Sequence, residues 1–166
     1  MSKRTILAID QSYTCSGIVI SKNGMILYTA VFKTDKSKNI FDRAWDVATE
    51  VTRLIHLYNV DVVAMEGLAF AGKGNATRDL AGLQFVIATQ AKFVLGIDCE
   101  IYAPGTIKKV ATGKGNSPKP MLLDVLPLTV RERFDTMGVK KTTGLLDMVD
   151  AYWISRTAEE DYKTKT

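Results

Sequence analysis

Four carboxylates stand where they could meet. Asp10 ends the apolar run of residues 4–10 (Arg-Thr-Ile-Leu-Ala-Ile-Asp), and Glu66 follows a second such run, residues 60–65, in the same way. A short apolar run bounded by polar residues reads as a buried central strand. In open α/β sheets, ligands bind at the ends of such strands. Asp147 and Asp150 are three apart in Leu-Asp-Met-Val-Asp-Ala-Tyr, residues 146–152, so a helix there turns both to one side. Each has a plainer reading by itself: Asp10 as a turn cap, the helix pair as exposed acids near a helix start. As a set, they are acids embedded among apolar residues. Buried acids need compensation, and a metal ion supplies it to several at once. The chemistry implied is that of a hard divalent cation held by oxygen.

Basic residues cluster on two glycine-rich stretches. Residues 69–78 (Ala-Phe-Ala-Gly-Lys-Gly-Asn-Ala-Thr-Arg) carry Phe70, Lys73 and Arg78. Residues 112–119 (Thr-Gly-Lys-Gly-Asn-Ser-Pro-Lys) carry Lys114 and Lys119, and Lys108 and Lys109 precede them. Such lysines can track a phosphate backbone, although for any one of them a solvated surface side chain is the simpler reading. Lys+Arg number 22 against 18 Asp+Glu, a net charge of +4, which is compatible with a polyanionic partner without requiring one. The one histidine, His56, lies in a helical pattern and reads as solvated, so Ser-His and Cys-His catalysis are disfavoured. Cys15 and Cys99 form neither a metal-ligand spacing nor a disulfide framework, as suits a reducing compartment. There is no signal-peptide pattern and no membrane-length apolar run, so a cytoplasmic location is expected.

The elements that position these residues follow from periodicity. Residues 4–10, 15–21 and 25–32 read as three successive strands, with Asn23-Gly24 as a two-residue hairpin turn. A helix is expected over residues 40–58, with Phe41, Ala44, Trp45, Ala48, Val51 and Ile55 as its core stripe. A helix over about 76–94 and a strand over 97–102 follow the second acid-bearing strand. Pro104-Gly105 opens a short helical turn, residues 121–126 begin a helix that Pro127 ends or kinks, and residues 129–141 are ambiguous. The last helix runs from Thr143 to about Glu159, with a frayed tail after it. At 166 residues, 46% of them hydrophobic, the chain can bury one full core. On the expected helix over 76–94, Leu80, Leu83, Ile87, Ala91 and Val94 form the stripe facing the sheet. Gly82, Phe85, Thr89 and Phe93 lie opposite, where a surface helix would be polar, so that side is read as a dimer face, the alternative being that the chain's own C-terminal segment covers it.

Ile9-Asp10, Ala64-Met65-Glu66 and Asp147-Met-Val-Asp150-Ala151, taken in order, resemble the RuvC-type Holliday junction resolvases. Tyr102-Ala103-Pro104, Lys108, Gly113-Lys-Gly115 and Lys119 resemble the basic segment before that family's final helices. The resemblance implies an α/β ribonuclease-H-like fold, a central mixed five-stranded sheet flanked by helices, as a single nuclease domain over residues 1–160. It also implies a homodimer that cuts branched DNA with two divalent ions per site, Mg²⁺ or else Mn²⁺, and no small-molecule cofactor. Asp10, Glu66, Asp147 and Asp150 would be the metal-binding catalytic acids. Lys108 and Lys119 would contact DNA, and Lys119 would supply either a phosphate contact or positive charge at the transition state. Gln-Ser-Tyr after Asp10 departs from the Pro-Gly-Ser of the cellular enzymes, Phe70 is offset from the family's base-contacting aromatic, and the divergence resembles a bacteriophage branch. Two other readings are a non-catalytic branched-DNA-binding protein on this fold and an actin-like or sugar-kinase-like ATP-binding domain.

Overall fold

The structure, a computed structural model, describes residues 4–68 and 74–165; Phe70 and Lys73 lie outside the described residues. Strands β1 (Thr5–Asp10), β2 (Cys15–Lys22) and β3 (Met25–Lys33) form an antiparallel meander. The β2–β3 turn places Asn23 and Gly24 at φ of 53° and 81°, the doubly left-handed geometry that an Asn-Gly pair tolerates. Helix α1 (Ile40–Tyr58) leads to β4 (Val62–Glu66), which pairs parallel to β1, and β5 (Asp98–Tyr102) pairs parallel to β4. Sheet order is β3-β2-β1-β4-β5, the mixed five-stranded sheet expected.

Alternation along the strands divides the core in two. Ile6, Ala8, Val19, Val62 and Ala64 face one layer, made by α3 (Pro104–Thr112), α4 (Met121–Asp124), α5 (Leu128–Thr136) and α6 (Leu145–Thr164). Leu7, Ile9, Ile18, Val63 and Met65 face the other, made by α1 and α2 (Asn75–Thr89). Helix α2 ends in a π-helical turn, Gln90–Val94, closed by the Leu95 N–H donating to Gln90 O at 3.1 Å.

Several expectations need correction. In α1 the buried stripe is Ala44, Val47, Ala48, Val51, Leu54 and Ile55. Phe41 and Trp45, expected in the core, are 82% and 61% exposed; at 100° per residue they fall on the margin of that stripe. On α2 the expected stripe holds at Leu83, Ile87 and Ala91, whereas Val94 is exposed where the π turn shifts its phase. The helical turn at Pro104 is a nine-residue helix, and the ambiguous stretch after Pro127 becomes α5, anchored by buried Val130 and Phe134. The expected frayed tail continues α6 to Thr164: Tyr162 is buried and its hydroxyl donates to Glu100 at 2.9 Å, while Tyr102 donates to Asp161 at 3.1 Å.

Candidate active site

The central strands β1 and β4 end side by side. Their last rung is Ile9 against Met65, so Asp10 and Glu66, one residue further on, emerge together at the same sheet edge. Helix α6 brings the other two acids across that edge, and glycine is what permits it. Gly17 is the register partner of Asp10. A β-carbon there would overlap the Asp147 carbonyl and lie 2.6 Å from Met148 N. The helix backbone therefore lies directly on the β1–β2 ladder, with Asp147 in its first turn and Asp150 one turn on. Gly144, at φ 121°, makes the sharp entry into α6, a conformation an L side chain rarely adopts.

Asp10, Gln11, Glu66, Pro104, Lys108 and Lys119 line a cleft of about 300 Å³. Asp150 is buried in a smaller pocket that shares Glu66, Lys108 and Lys119 with it. The electrostatics are those of crowded carboxylates. Burial raises Asp10 well above the usual carboxylate range; Asp150, Asp147 and Glu66 push the same way, and Lys119 opposes them. Burial likewise raises Glu66, with Asp150 adding and Lys119 and Lys108 opposing. Asp150 is raised by burial in spite of Lys119. Burial works against the Lys119 ammonium, yet Asp150, Asp10 and Glu66 together outweigh it, so Lys119 is raised and firmly charged. At the margin, burial and a hydrogen bond to Asp147 push the Cys15 thiol up to about 11.

Lys119 Nζ lies 2.5 Å from Asp150 Oδ2. The ion pair holds the buried Asp150 carboxylate against the Lys119 ammonium. Among the described residues no three acid, histidine or cysteine side chains close on one point as a finished cage; the ammonium of Lys119 stands among the carboxylates as their counter-charge. The donor set nevertheless fits a hard divalent ion: carboxylate oxygens from Asp10, Glu66 and Asp150, with no histidine or thiolate among them.

The other expected contacts divide by position. Lys108 faces the cleft, but Lys109 lies in a separate groove between α3 and α6, beside Trp153 and Arg156. Lys114 is exposed on the loop after α3, and Arg78 is exposed on α2, 3.6 Å from Asp79. His56 is exposed, as expected. Two features lie beyond what the sequence signals: the close seating of α6 on Gly17, a residue that in sequence belongs to the hairpin resembling a kinase phosphate loop, and the side-chain amides of Gln11 and Gln84, which converge on the Glu66 carbonyl oxygen at 3.2 and 2.8 Å.

The chain is similar to known proteins over most of its length. Residues 6–130 match the family model for crossover junction endodeoxyribonuclease RuvC. A curated crossover junction endodeoxyribonuclease RuvC from Rhodopirellula baltica is 28% identical over 158 residues, which cover 93% of this chain and 85% of that protein. The solved RuvC of Thermus thermophilus superposes with a TM-score of 0.75 at 20% identity, covering 98% of this chain and 97% of that one. The fowlpox virus resolvase, solved with its Holliday junction substrate, gives a TM-score of 0.57 at 20% identity, covering 95% and 98%. The structural likenesses speak to the fold, and the family match, which spans β1 and β4 with Asp10 and Glu66 and runs into α5, decides the rest: the chain belongs to the RuvC family of crossover junction endodeoxyribonucleases.

Proposed function

We propose that the cleft lined by Asp10 and Glu66, with Asp150 in the pocket beside it and Asp147 one turn earlier on α6, is where this junction endonuclease hydrolyses DNA. The observation that carries the reading is the gathering of four carboxylates from β1, β4 and α6 at one sheet edge, with Asp10 half-buried, Asp150 buried and both raised. These residues would hold two divalent ions, Mg²⁺ by the hardness of the donors. When bound, the pair supplies an activated water and the charge that steadies the departing 3′-oxygen. The chain's own residues do the rest. Asp10 feels the charge of all three other acids and so sits centrally among them. Lys119 and Lys108 carry positive charge to the mouth of the cleft, where a scissile phosphate would enter.

The substrate is a four-way DNA junction, held mainly through basic groups on phosphates. The working unit is a homodimer of single nuclease domains joined through α2, whose Phe85 and Phe93 are 71% and 79% exposed and are not covered by the chain's own C-terminal helix. Cys15 and Cys99 are both free, which fits work in the cytoplasm, and no described helix is long and apolar enough to cross a membrane.

The test is a Mg²⁺-dependent cleavage assay on synthetic four-way, three-way and flap DNA. Asp10→Asn and Asp147→Asn are expected to lower junction cleavage by at least ~10³-fold, in line with the several kcal/mol that metal-held charge contributes to such a step. Binding of the same junctions, measured by gel shift in Ca²⁺, should stay within a few-fold of wild type. Near-full cleavage by either variant removes that acid from the site.

A further inference from the structure

Glu66 presents an unusual backbone problem. The β1–β4 ladder stops at Ile9–Met65, and on the other side Gly67 N–H donates to Tyr102 O at 2.8 Å. The Glu66 carbonyl thus lies beyond the end of β1 with no strand to receive it. Two side-chain amides take the place of the missing strand. Gln84 Nε2, from α2, donates to Glu66 O at 2.8 Å, and Gln11 Nε2, from the β1–β2 turn, donates at 3.2 Å. A carbonyl oxygen has two lone pairs, so the two donors saturate it. Because the acceptor is a carbonyl, each amide must present nitrogen, which fixes its orientation.

The same turn and the same helix meet again nearby. Tyr13 Oη donates to Asp79 O at 2.9 Å, and the Tyr13 carbonyl accepts from Arg43 Nη2 at 2.6 Å. Gln11 itself is buried. Residues 11–13 are therefore strapped to α2 and α1 on one side and to the end of β4 on the other.

We infer that Gln11 and Gln84 are positioning residues: they fix the backbone at Glu66, and through it hold the Glu66 carboxylate in the orientation the divalent ion requires. The inference rests on Glu66 being one of the acids of the proposed site. Partners that orient a metal ligand from outside its coordination sphere typically account for about 10–100-fold in metal affinity or activity. The pair is special because its members come from different elements. Gln11 follows Asp10 directly, so one side chain couples two of the acids. Gln84 precedes Phe85, so the helix that carries the exposed aromatic face also holds Glu66 in place.

The experiment is calorimetric titration of Mn²⁺ into the intact protein, alongside single-turnover junction cleavage and thermal melting in EDTA. The variants are Gln84→Met, which keeps the shape and removes the donor, Gln84→Glu, Gln11→Met, and the Gln11→Met/Gln84→Met pair. Each Met variant should bind Mn²⁺ about tenfold more weakly. Gln84→Glu should be worse, since it sets a carboxylate against a carbonyl, and the double variant should lose more than the product of the singles, because only it strips the carbonyl of both donors. Wild-type Mn²⁺ affinity and cleavage in all four variants, with or without a lower melting temperature, would overturn the inference and leave the amides as ordinary stabilising contacts. Glu66→Gln serves as the reference. If it too binds Mn²⁺ as wild type does, the fault lies with Glu66 as a metal-binding acid; if it binds weakly while the amide variants do not, the fault lies with the clamp.

Discussion

A carboxylate buried beside other carboxylates opposes folding whenever it is ionised, and Asp10 is in that position. Its folded-state pKa is raised, so the penalty appears as pH rises past the ordinary value of 3.8 and is complete above the folded value. Asp10→Asn removes it. In EDTA near neutral pH the variant should melt above wild type, by about 2–4 °C for each kcal/mol relieved in a domain of this size. The gain should shrink as pH falls and vanish below the ordinary value, where the wild-type acid is already neutral. Asp150→Asn should gain less, because it also gives up the contact with Lys119. An Asp10→Asn melting temperature below wild type across the whole range would show that Asp10 makes a stabilising contact outweighing its burial. Added Mg²⁺ should reverse the order, stabilising wild type more than either variant.

Among the elements, α6 depends on what it rests on. Gly17→Ala would drive a methyl into the Asp147 carbonyl, against backbone on both sides. Neither the β1–β2 ladder nor the first turn of a 20-residue helix can yield easily. The expected cost is about 3 kcal/mol, the upper end for overpacking, read as a lower urea midpoint, with cleavage lost in the fraction that remains folded. Unchanged stability would mean that α6 rides further from the sheet. This contact also marks how far the sequence could be read. The strands, α1, the acid-bearing strand ends and the Asp147–Asp150 pair were legible because apolar periodicity and the i, i+3 rule act locally. Phe41 and Trp45 were misplaced because helical spacing gives a stripe but not its edges. The role of Gly17, the Lys119–Asp150 contact and the amides on Glu66 join residues far apart in sequence, and no local pattern records such pairings.

For the whole molecule, the exposed aromatic residues bear on assembly. Phe85, Val86 and Phe93 on α2 and its π turn, with Phe41 and Trp45 on the adjoining α1, leave large apolar side chains in water on two neighbouring helices. Surfaces of this kind mark interaction sites, and a two-fold partner would set two acid clefts against the two symmetric strands of a junction. Phe85→Glu places a charge where the side chain is already exposed, so the fold should survive. The variant should sediment as a monomer, bind junction DNA weakly, and nick one strand without making the paired cut. If it remains dimeric and fully active, the interface lies on another face.

The path of α6 has a consequence for biosynthesis. Two of the four acids arrive on β1 and β4, within the first 66 residues, and the other two only on a helix that begins at Leu145. That helix packs across β1, β2 and β4, and its contacts with β1 and β2 join residues well over a hundred apart in the chain; long-range closures of this kind form late. A chain still emerging from the ribosome thus displays half a cleft, and the Ile6, Ala8 and Val19 face of its sheet has no cover. Covering that apolar face and completing the acid set are a single event. If the four acids form the proposed cutting site, a partly made chain lacks that site until α6 is in place.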